Sequence, residues 1–219
     1  MRVGIVGATG PAGTALAARL AAGGVDVVVG SRSASRAVEA CENLAKRWPT
    51  RALPLTPGTN AEAAAESLVV LATPWDSTAA TAGTLAEQLV GKVVVSMANA
   101  LVRVDGRFHA LTPPGGSVAA GVQEAAPSAL VVAAFQHLPA ASVADLDTPL
   151  HGDVLVCTDH PAAYEGAATL VRRMPDLRPL DAGGLTSAGP VEALTAVLVG
   201  VNVRYRARAT VALLGLSTT

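Results

Sequence analysis

The sequence has few aromatic residues, few cysteines and little net charge, and each shortage limits what the protein can do. Phe, Trp and Tyr make up only 3% of the 219 residues, so a core of this size must be built from Ala, Val and Leu. The formal net charge is -1, with both signs spread along the chain, which argues against a nucleic-acid partner. The two cysteines, Cys41 and Cys157, have no Cys or His at metal-binding spacing, so we expect buried thiols and no metal site.

The chain also lacks the sequence signals of an exported or membrane-spanning protein. Its first residues enter a strand and a glycine turn directly, without a charged segment followed by an uninterrupted apolar one. Apolar runs elsewhere are broken by polar residues before the roughly 20 residues that a membrane helix requires. The sequence therefore predicts a soluble, cytoplasmic protein whose partners are small molecules, with neither nucleic acid nor membrane among them.

The strongest positive signal is a glycine-rich turn at the start of the chain. Residues 2–6 form an apolar run of strand length, Gly7, Gly10 and Gly13 follow, and residues 14–22 have high helix propensity. A turn of this kind lets a pyrophosphate approach bare backbone N–H groups at a helix N-terminus. The spacing G-x-x-G-x-x-G is one residue longer than the common fingerprint, but its context between strand and helix predicts a dinucleotide site.

The end of the second predicted strand, residues 25–29, selects the form of the nucleotide. Proteins that bind NAD usually place Asp or Glu there to accept hydrogen bonds from the ribose 2′-hydroxyl, whereas this chain has Ser31 and Arg32. Arg36 lies four residues after Arg32, on the same face of the helix predicted from Ser33. These three side chains can bind a 2′-phosphate, which favours NADP, although both arginines could instead be solvated helix charges.

The rest of the chain alternates apolar strands with helices. This order predicts an α/β fold, with a Rossmann-type doubly wound parallel sheet and a small C-terminal α/β extension. We expect a dinucleotide-binding domain over residues 1–142 and a smaller domain over residues 143–219. Turn-forming residues predict loops over residues 56–60 and 103–116. Further strands are predicted at residues 51–55, 68–72, 92–96, 130–135, 153–157 and 177–180, and helices at 33–48, 61–66, 77–90, 117–125, 161–173 and 190–214.

Ligands of such sheets bind beyond the carboxyl ends of the strands, so residues at the strand ends are the candidate site residues. Three strand ends supply them: Thr73, Pro74 and Trp75; then Met97, Ala98, Asn99 and Leu101; then Gln136, His137, Pro139 and Ala140. Trp75 could instead pack in the core. His137 could transfer a proton or simply orient a ligand. Neither a Ser-His-Asp arrangement nor a pair of carboxylates is evident, so we expect no catalytic side chain.

Four stretches of the sequence resemble the NADPH-dependent deazaflavin reductases, also called F420-dependent NADP oxidoreductases, of archaea and actinobacteria. They are MRVGIVGATGPAG with VVVGSR, LATPW, HLPAA, and LRPLDAGGL followed by VEALTAVL. The last stretch is the most specific, because dinucleotide domains in general do not share it. The resemblance implies hydride transfer between NADP(H) and coenzyme F420, in a cleft between the two domains of a homodimer.

The resemblance also implies roles for individual residues. It assigns the pyrophosphate to Thr9, Gly10, Pro11 and Ala12, and the 2′-phosphate to Ser31, Arg32 and Arg36. It places Trp75, Leu101 and Ala140 beside the nicotinamide, and Met97, Ala98 and Asn99 near the deazaflavin.

The chain departs from the archaeal members of this family where the second substrate binds. Those members have a His-Thr pair at the positions of Gln136 and His137, and Pro- and Val-rich residues at positions 97–100. Two further functions therefore stay open. One is an NADPH-dependent reductase of an imine, a flavin or a ferric chelate, and the other is an NADP sensor without catalysis.

Overall fold

The computed structural model describes residues 1–216 as a sheet flanked by helices. The first half contains β1 (Arg2–Val6), α1 (Pro11–Ala22), β2 (Asp26–Ser31), α2 (Ala34–Arg47), β3 (Leu55–Thr59), α3 (Asn60–Ala64), β4 (Leu68–Leu71), α4 (Trp75–Thr84) and β5 (Val93–Ser96). The second half contains β6 (Leu101–Val104), β7 (Arg107–Ala110), α5 (Val118–Ala125), β8 (Leu130–Ala133), α6 (Ala140–Val143), β9 (Gly152–Val156), α7 (Pro161–Arg172), β10 (Leu177–Asp181) and α8 (Ala188–Tyr205).

The main sheet has six strands in the order β3-β2-β1-β4-β5-β8, all parallel. The predicted fold class is thus confirmed. The chain runs outward from β1 in one direction and, after crossing over, outward from β4 in the other. A crevice opens where the order reverses, at the carboxyl ends of β1 and β4.

Strands that are buried on both faces explain the valine-rich, almost non-aromatic core. Side chains of β4 alternate: Leu68 and Val70 belong to one hydrophobic cluster, with α1 and α7, whereas Val69 and Leu71 belong to the other, with α4 and α5. Short aliphatic residues fill most of the two layers, and Phe135 is a buried aromatic member of the first cluster.

The C-terminal elements extend this core. Strands β9 and β10 pair in parallel, and Ala133 of β8 forms an antiparallel bridge with Cys157 just after β9, with N···O distances of 2.8 and 3.0 Å. Val154 and Leu170 join Ile5 in one hydrophobic cluster, so residues on both sides of position 142 share the same core.

The strand predicted at residues 51–55 is displaced to residues 55–59. Two predicted loops are also wrong, because both contain strands. Residues 55–59 form β3 despite Pro57 and Gly58. This strand lies at the sheet edge and pairs only with β2, so the missing N–H of Pro57 is tolerated. Residues 101–110 form the hairpin of β6 and β7, which turns at Asp105 and Gly106 with φ of 48° and 78°. An Asp-Gly pair with two positive φ angles is a typical two-residue hairpin turn.

The boundaries of three helices also differ from the prediction, one of them α4, which runs over residues 75–84 rather than 77–90. Helix α1 begins at Pro11 rather than Thr14, because proline is well suited to the first helical position. Helix α8 ends at Tyr205 rather than near Leu214, since Arg206 adopts a left-handed conformation that stops it. Beyond it the chain runs beside β9, where the Asp153 N–H donates to the carbonyl of Val211 at 2.7 Å.

Helix α8 has an unusually apolar and exposed surface. The segment Leu185–Tyr205 is long and apolar enough to cross a membrane by length and composition alone, and only 17% of its most apolar window is buried. This finding differs from the expectation of no such run. A single helix that meets this criterion is weak evidence for a membrane span.

Candidate functional site

The three glycines of the opening turn are required for three different reasons. Gly7 has a φ of 76°, and a Cβ there would lie 2.7 Å from Thr73 Cγ2. A Cβ on Gly13 would lie 2.8 Å from Ala8 Cα, so this glycine allows α1 to pack closely. Gly10 has an ordinary extended backbone, and the nearest atom to its Cβ would be 3.8 Å away. Space beside Gly10 is therefore open to a ligand, while Gly7 and Gly13 shape the turn.

The first turn of α1 has backbone N–H groups free for an anion. Its N-cap residue, Gly10, has no side chain that could accept from them, and no acidic residue lies in the first turn. The Gly7 N–H donates to Oδ1 of Asn60 at 3.1 Å, which holds the preceding loop in place. This combination of unpaired donors and helix dipole favours a phosphate group.

A cavity of about 300 Å³ lies against this turn, at the carboxyl ends of β1, β2 and β4. Eight of the predicted site residues line it: Gly7, Thr9, Gly10, Ser31, Arg32, Arg36, Thr73 and Pro74. We call it the first cavity.

The two arginines of the first cavity are available to a ligand. Ser31 is buried and its Oγ accepts from the Ser33 N–H at 3.2 Å, whereas Arg32 and Arg36 are exposed. Within residues 1–216, neither arginine lies within 4 Å of a carboxylate. Helix α2 begins at Ala34, so Arg32 lies just before the helix and only Arg36 lies in its first turn, rather than both on one helix face. Two free guanidinium groups in these positions can form bidentate hydrogen bonds to a phosphate.

A second cavity, of about 470 Å³, lies on the other side of the α1 N-terminus. The predicted residues Ala12, Met97, Asn99, Gln136, His137, Pro139 and Ala140 line it. Its remaining wall is α8, which contributes Thr195, Leu198, Val199, Asn202 and Val203. Since Gly10 borders the first cavity and Ala12 the second, one turn of α1 separates the two.

A polar junction fixes the wall of the second cavity to the strand ends. The Asn99 Nδ2 donates to the carbonyl of Gln136 at 2.9 Å, and Thr195 Oγ1 lies 3.1 Å from both Asn99 Oδ1 and that carbonyl. Phe135, just before Gln136, is buried with a φ of 71°, which is rare for a residue with a side chain. Such local strain is typical of functional sites.

His137 is held as a neutral imidazole. It is 2% exposed, and its Nε2 donates to the carbonyl of Asp153 at 2.8 Å. Burial lowers the pKa of His137, and the hydrogen bond to Asp153 only partly opposes this. Because a neutral, fixed ring is a poor proton donor, the structure favours an orienting role over proton transfer.

Five predicted residues line neither cavity. Gly13 is buried beneath the turn, and Pro11 borders a shallow groove that it shares with Ala140. Trp75 packs against the buried Ala98, beside α5. Leu101 begins β6. Each of the three strand ends thus contributes some of its predicted residues to a cavity, but not all of them.

Sequence reasoning missed Asn60 and the α8 residues. Asn60 follows β3, so the strand-end rule would have found it had residues 56–60 been recognised as a strand. Thr195 and Asn202 lie more than 50 residues beyond Ala140, the last of the predicted strand-end candidates. Only the tertiary fold brings them to the cavity.

Glu192 lies in α8, but its side chain caps a different helix. Its carboxylate accepts from the N–H groups of Val118 and Ala119, at 2.9 and 3.2 Å, in the first turn of α5. The residue is 3% exposed, and burial raises its pKa to about 7, against the lowering effect of the two N–H donors. Glu192 thereby fixes α8, and with it Thr195 one turn later, relative to α5.

The raised pKa of Glu192 predicts a pH-dependent stability. An unfolded chain releases this proton near pH 4.5, whereas the folded chain keeps it to about pH 7. The free energy of unfolding therefore falls as the pH rises through this interval, by about 3 kcal/mol from this group. Urea unfolding at pH 5 and pH 7.5 should show this fall in the wild type, and a fall smaller by that amount in Glu192→Gln. Equal pH dependence in both proteins would contradict the assignment.

The chain is similar in sequence and in structure to F420-dependent NADP reductases. The family model "NADP oxidoreductase coenzyme F420-dependent" matches residues 2–100. The chain is 34% identical to the F420-dependent NADP reductase of Methanocaldococcus jannaschii, over 96% of each chain, and 32% identical to that of Methanothermobacter marburgensis, over 95% of each. Its structure resembles the crystal structure of a putative F420-dependent NADP reductase from Arthrobacter sp. FB24, with a TM-score of 0.82, 26% identity, and 97% and 99% of the two chains covered.

Proposed function

The chain belongs to the family of coenzyme F420-dependent NADP oxidoreductases, and from that premise we propose that its two cavities hold the two substrates of the reaction. The protein is an oxidoreductase that transfers a hydride between NADPH and coenzyme F420, an 8-hydroxy-5-deazaflavin. The observation that supports the assignment of the cavities is their position, on opposite sides of one turn of α1.

We assign NADPH to the first cavity. The open space beside Gly10 fits a pyrophosphate at the N-terminus of α1, with Thr9, Pro11 and Ala12 completing the turn. Ser31, Arg32 and Arg36 would hold the 2′-phosphate, with no carboxylate placed to accept from a free 2′-hydroxyl. Thr73 and Pro74 form the opposite wall.

We assign the deazaflavin to the second cavity, together with the nicotinamide end of NADPH beside Ala12 and Ala140. Gln136 and His137 line this cavity, and each has a buried acceptor, Oε1 and Nδ1, without a partner among the described residues. A ring with N–H groups suits two such acceptors. Trp75, Ala98 and Leu101 would act by supporting the segment that carries Met97 and Asn99.

Hydride transfer requires that the protein align the two rings and exclude water. Hydride passes between C4 of the nicotinamide and C5 of the deazaflavin when these atoms are about 3 to 3.5 Å apart. Phe135, Leu198 and Val199 give the second cavity apolar walls. His137 stays neutral and fixed, so it orients a ring without competing for protons.

Steady-state reduction of F420 tests this function. With NADPH, the purified protein should bleach the visible absorbance of oxidised F420, with a kcat/KM at least about a hundredfold above that with NADH, as two charge-assisted contacts would give. FMN, an imine and a ferric chelate serve as control acceptors. Turnover of a control acceptor with none of F420 would favour the alternative reductase, and NADPH binding without any turnover would favour an NADP sensor.

We further propose a cytoplasmic homodimer in which the C-terminal part, residues 143–219, completes the deazaflavin cleft and supplies the dimer contact. Val197, Val201 and Tyr205 form a stripe at four-residue spacing on α8 and are 61%, 36% and 72% exposed. An exposed apolar stripe of this kind is typical of an interface.

Light scattering should give a dimer mass for the wild type and a monomer mass for Val197→Asp. A monomeric wild type at micromolar concentration would exclude the dimer.

A further inference from the structure

Three arginines, at every second position of residues 204–208, lie at the border of the second cavity. Helix α8 ends at Tyr205, and Arg204, Arg206 and Arg208 are all exposed there. Val203 and Ala207, which alternate with these arginines along the chain, line the second cavity. The arginines therefore lie at its rim.

The turn that carries these arginines is held by a residue of the cavity itself. Arg206 has φ of 51° and ψ of 42°, a left-handed conformation that is unfavourable for a residue with a side chain. Asn202, which lines the cavity, compensates with two bonds: its carbonyl accepts from the Ala207 N–H at 3.0 Å, and its Oδ1 accepts from the Ala209 N–H at 2.6 Å. The rim is thus a defined structure rather than a loose end.

The fold does not use the charges of these three arginines, although it uses those of other arginines nearby. Arg19 binds the carbonyls of residues 142–148, Arg51 pairs with Asp147 at 2.8 Å, and Arg178 pairs with Asp153 at 2.7 Å. In contrast, no carboxylate in the described part of the chain lies within 4 Å of Arg204, Arg206 or Arg208.

The charge of one rim arginine affects the pKa of a nearby carboxylate. The pKa of Asp145 is lowered, mainly by the hydrogen bond from Thr148 and to a smaller extent by the charge of Arg208. Arg204 lies in the last turn of α8, where it complements the negative end of the helix dipole. Arg206 and Arg208 lie beyond that turn and have no such role. In a chain of net charge -1, three positive charges within five residues form a local anion-binding surface.

We propose that Arg204, Arg206 and Arg208 bind the anionic tail of coenzyme F420. This inference rests on the proposed assignment of the deazaflavin to the second cavity. The ribityl chain of F420 continues from the ring into a phosphodiester and a chain of glutamate carboxylates, all ionised at neutral pH. A guanidinium group binds phosphate and carboxylate bidentately, so a row of three suits a tail that leaves the cavity past Val203 and Ala207.

Comparison of F420 with its tail-less form tests the proposal. The substrates are F420 and 7,8-didemethyl-8-hydroxy-5-deazariboflavin, which has the same ring and ribityl chain but no phosphate or glutamate. The combined variant Arg204→Gln, Arg206→Gln, Arg208→Gln should lower kcat/KM for F420 about tenfold, through KM, as expected for three exposed ion pairs. It should leave kcat/KM for the tail-less substrate unchanged. Added salt should raise the KM of the wild type for F420 and have little effect on the variant.

A matched control removes three positive charges far from both cavities: Lys46→Gln, Arg172→Gln, Arg173→Gln. This control should keep the wild-type kcat/KM for both deazaflavins, and thermal unfolding should show that both triple variants fold. Equal loss with both substrates, or no loss with F420, would overturn the tail-binding role and leave the proposed function intact. A wild type that reduces neither deazaflavin would instead overturn the proposed function, and the tail-binding role with it.

Discussion

The Arg32→Glu variant is expected to lose at least a hundredfold in kcat/KM for NADPH while changing that for NADH less than about threefold. Arg32 is exposed, lines the first cavity beside Ser31 and has no carboxylate within 4 Å among residues 1–216. The substitution removes a charge-assisted contact to the 2′-phosphate and adds repulsion, together about 3 kcal/mol or more. NADH has no 2′-phosphate and loses nothing comparable. Initial rates with each nucleotide at saturating F420 measure both values.

The control for Arg32→Glu is Lys46→Glu, an equal change of charge in α2, the helix that begins two residues after Arg32. Lys46 lies at the other end of α2, lines neither cavity and is 3.9 Å from Glu42. This variant should keep the wild-type kcat/KM for both NADPH and NADH. If Arg32→Glu kept the wild-type KM for NADPH, the 2′-phosphate would not lie between Arg32 and Arg36, and the choice of NADP over NAD would have another cause.

The Gly10→Asp variant is expected to fold normally but to lose its affinity for both NADPH and NADH. Gly10 has φ of -80° and ψ of 163°, which every residue can adopt, and a Cβ there meets no atom closer than 3.8 Å. Asp is also a better N-cap than glycine, so the free energy of unfolding should stay equal or rise by a few tenths of a kcal/mol. The new carboxylate would occupy the phosphate position at the N-terminus of α1, and binding should fall about a thousandfold.

Gly13→Ala provides the contrast. A Cβ at position 13 would lie 2.8 Å from Ala8 Cα and 3.0 Å from the Gly7 carbonyl oxygen, so this variant should be destabilised by about 1 to 3 kcal/mol. Thermal unfolding and nucleotide titration of both variants separate the two roles. Normal nucleotide binding by a stable Gly10→Asp protein would mean that the pyrophosphate does not lie at this helix N-terminus.

Local sequence patterns predicted eight of the residues that line the first cavity, because each of these residues lies close to the end of a strand. The turn from Gly7 to Gly13, the arginines after β2 and the Thr-Pro pair after β4 each follow a strand directly. Parallel pairing of β1, β2 and β4 then brings the three stretches together at one edge. Any sheet with this order would do the same.

Sequence patterns failed where tertiary contacts outweigh local propensity. Pro57 and Gly58 are typical turn residues, but pairing with β2 at the sheet edge makes them part of a strand, and Asn60 was lost with it. The carboxylate of Glu192 caps α5, which lies more than 60 residues earlier in the chain. The wall of the second cavity depends on this long-range packing of α8, which no local pattern records.

Transfer of a deuterium label tests the central claim most directly, namely that the two cavities bring the two rings into contact. NADPH carrying deuterium on the transferred position of C4 is mixed with oxidised F420 and the protein in ordinary water, and the reduced F420 is analysed by NMR and mass spectrometry. The proposed arrangement predicts one deuterium per molecule, located at C5. Reduced F420 that carries only solvent hydrogen at C5, or no reduction of F420 at all, would contradict it.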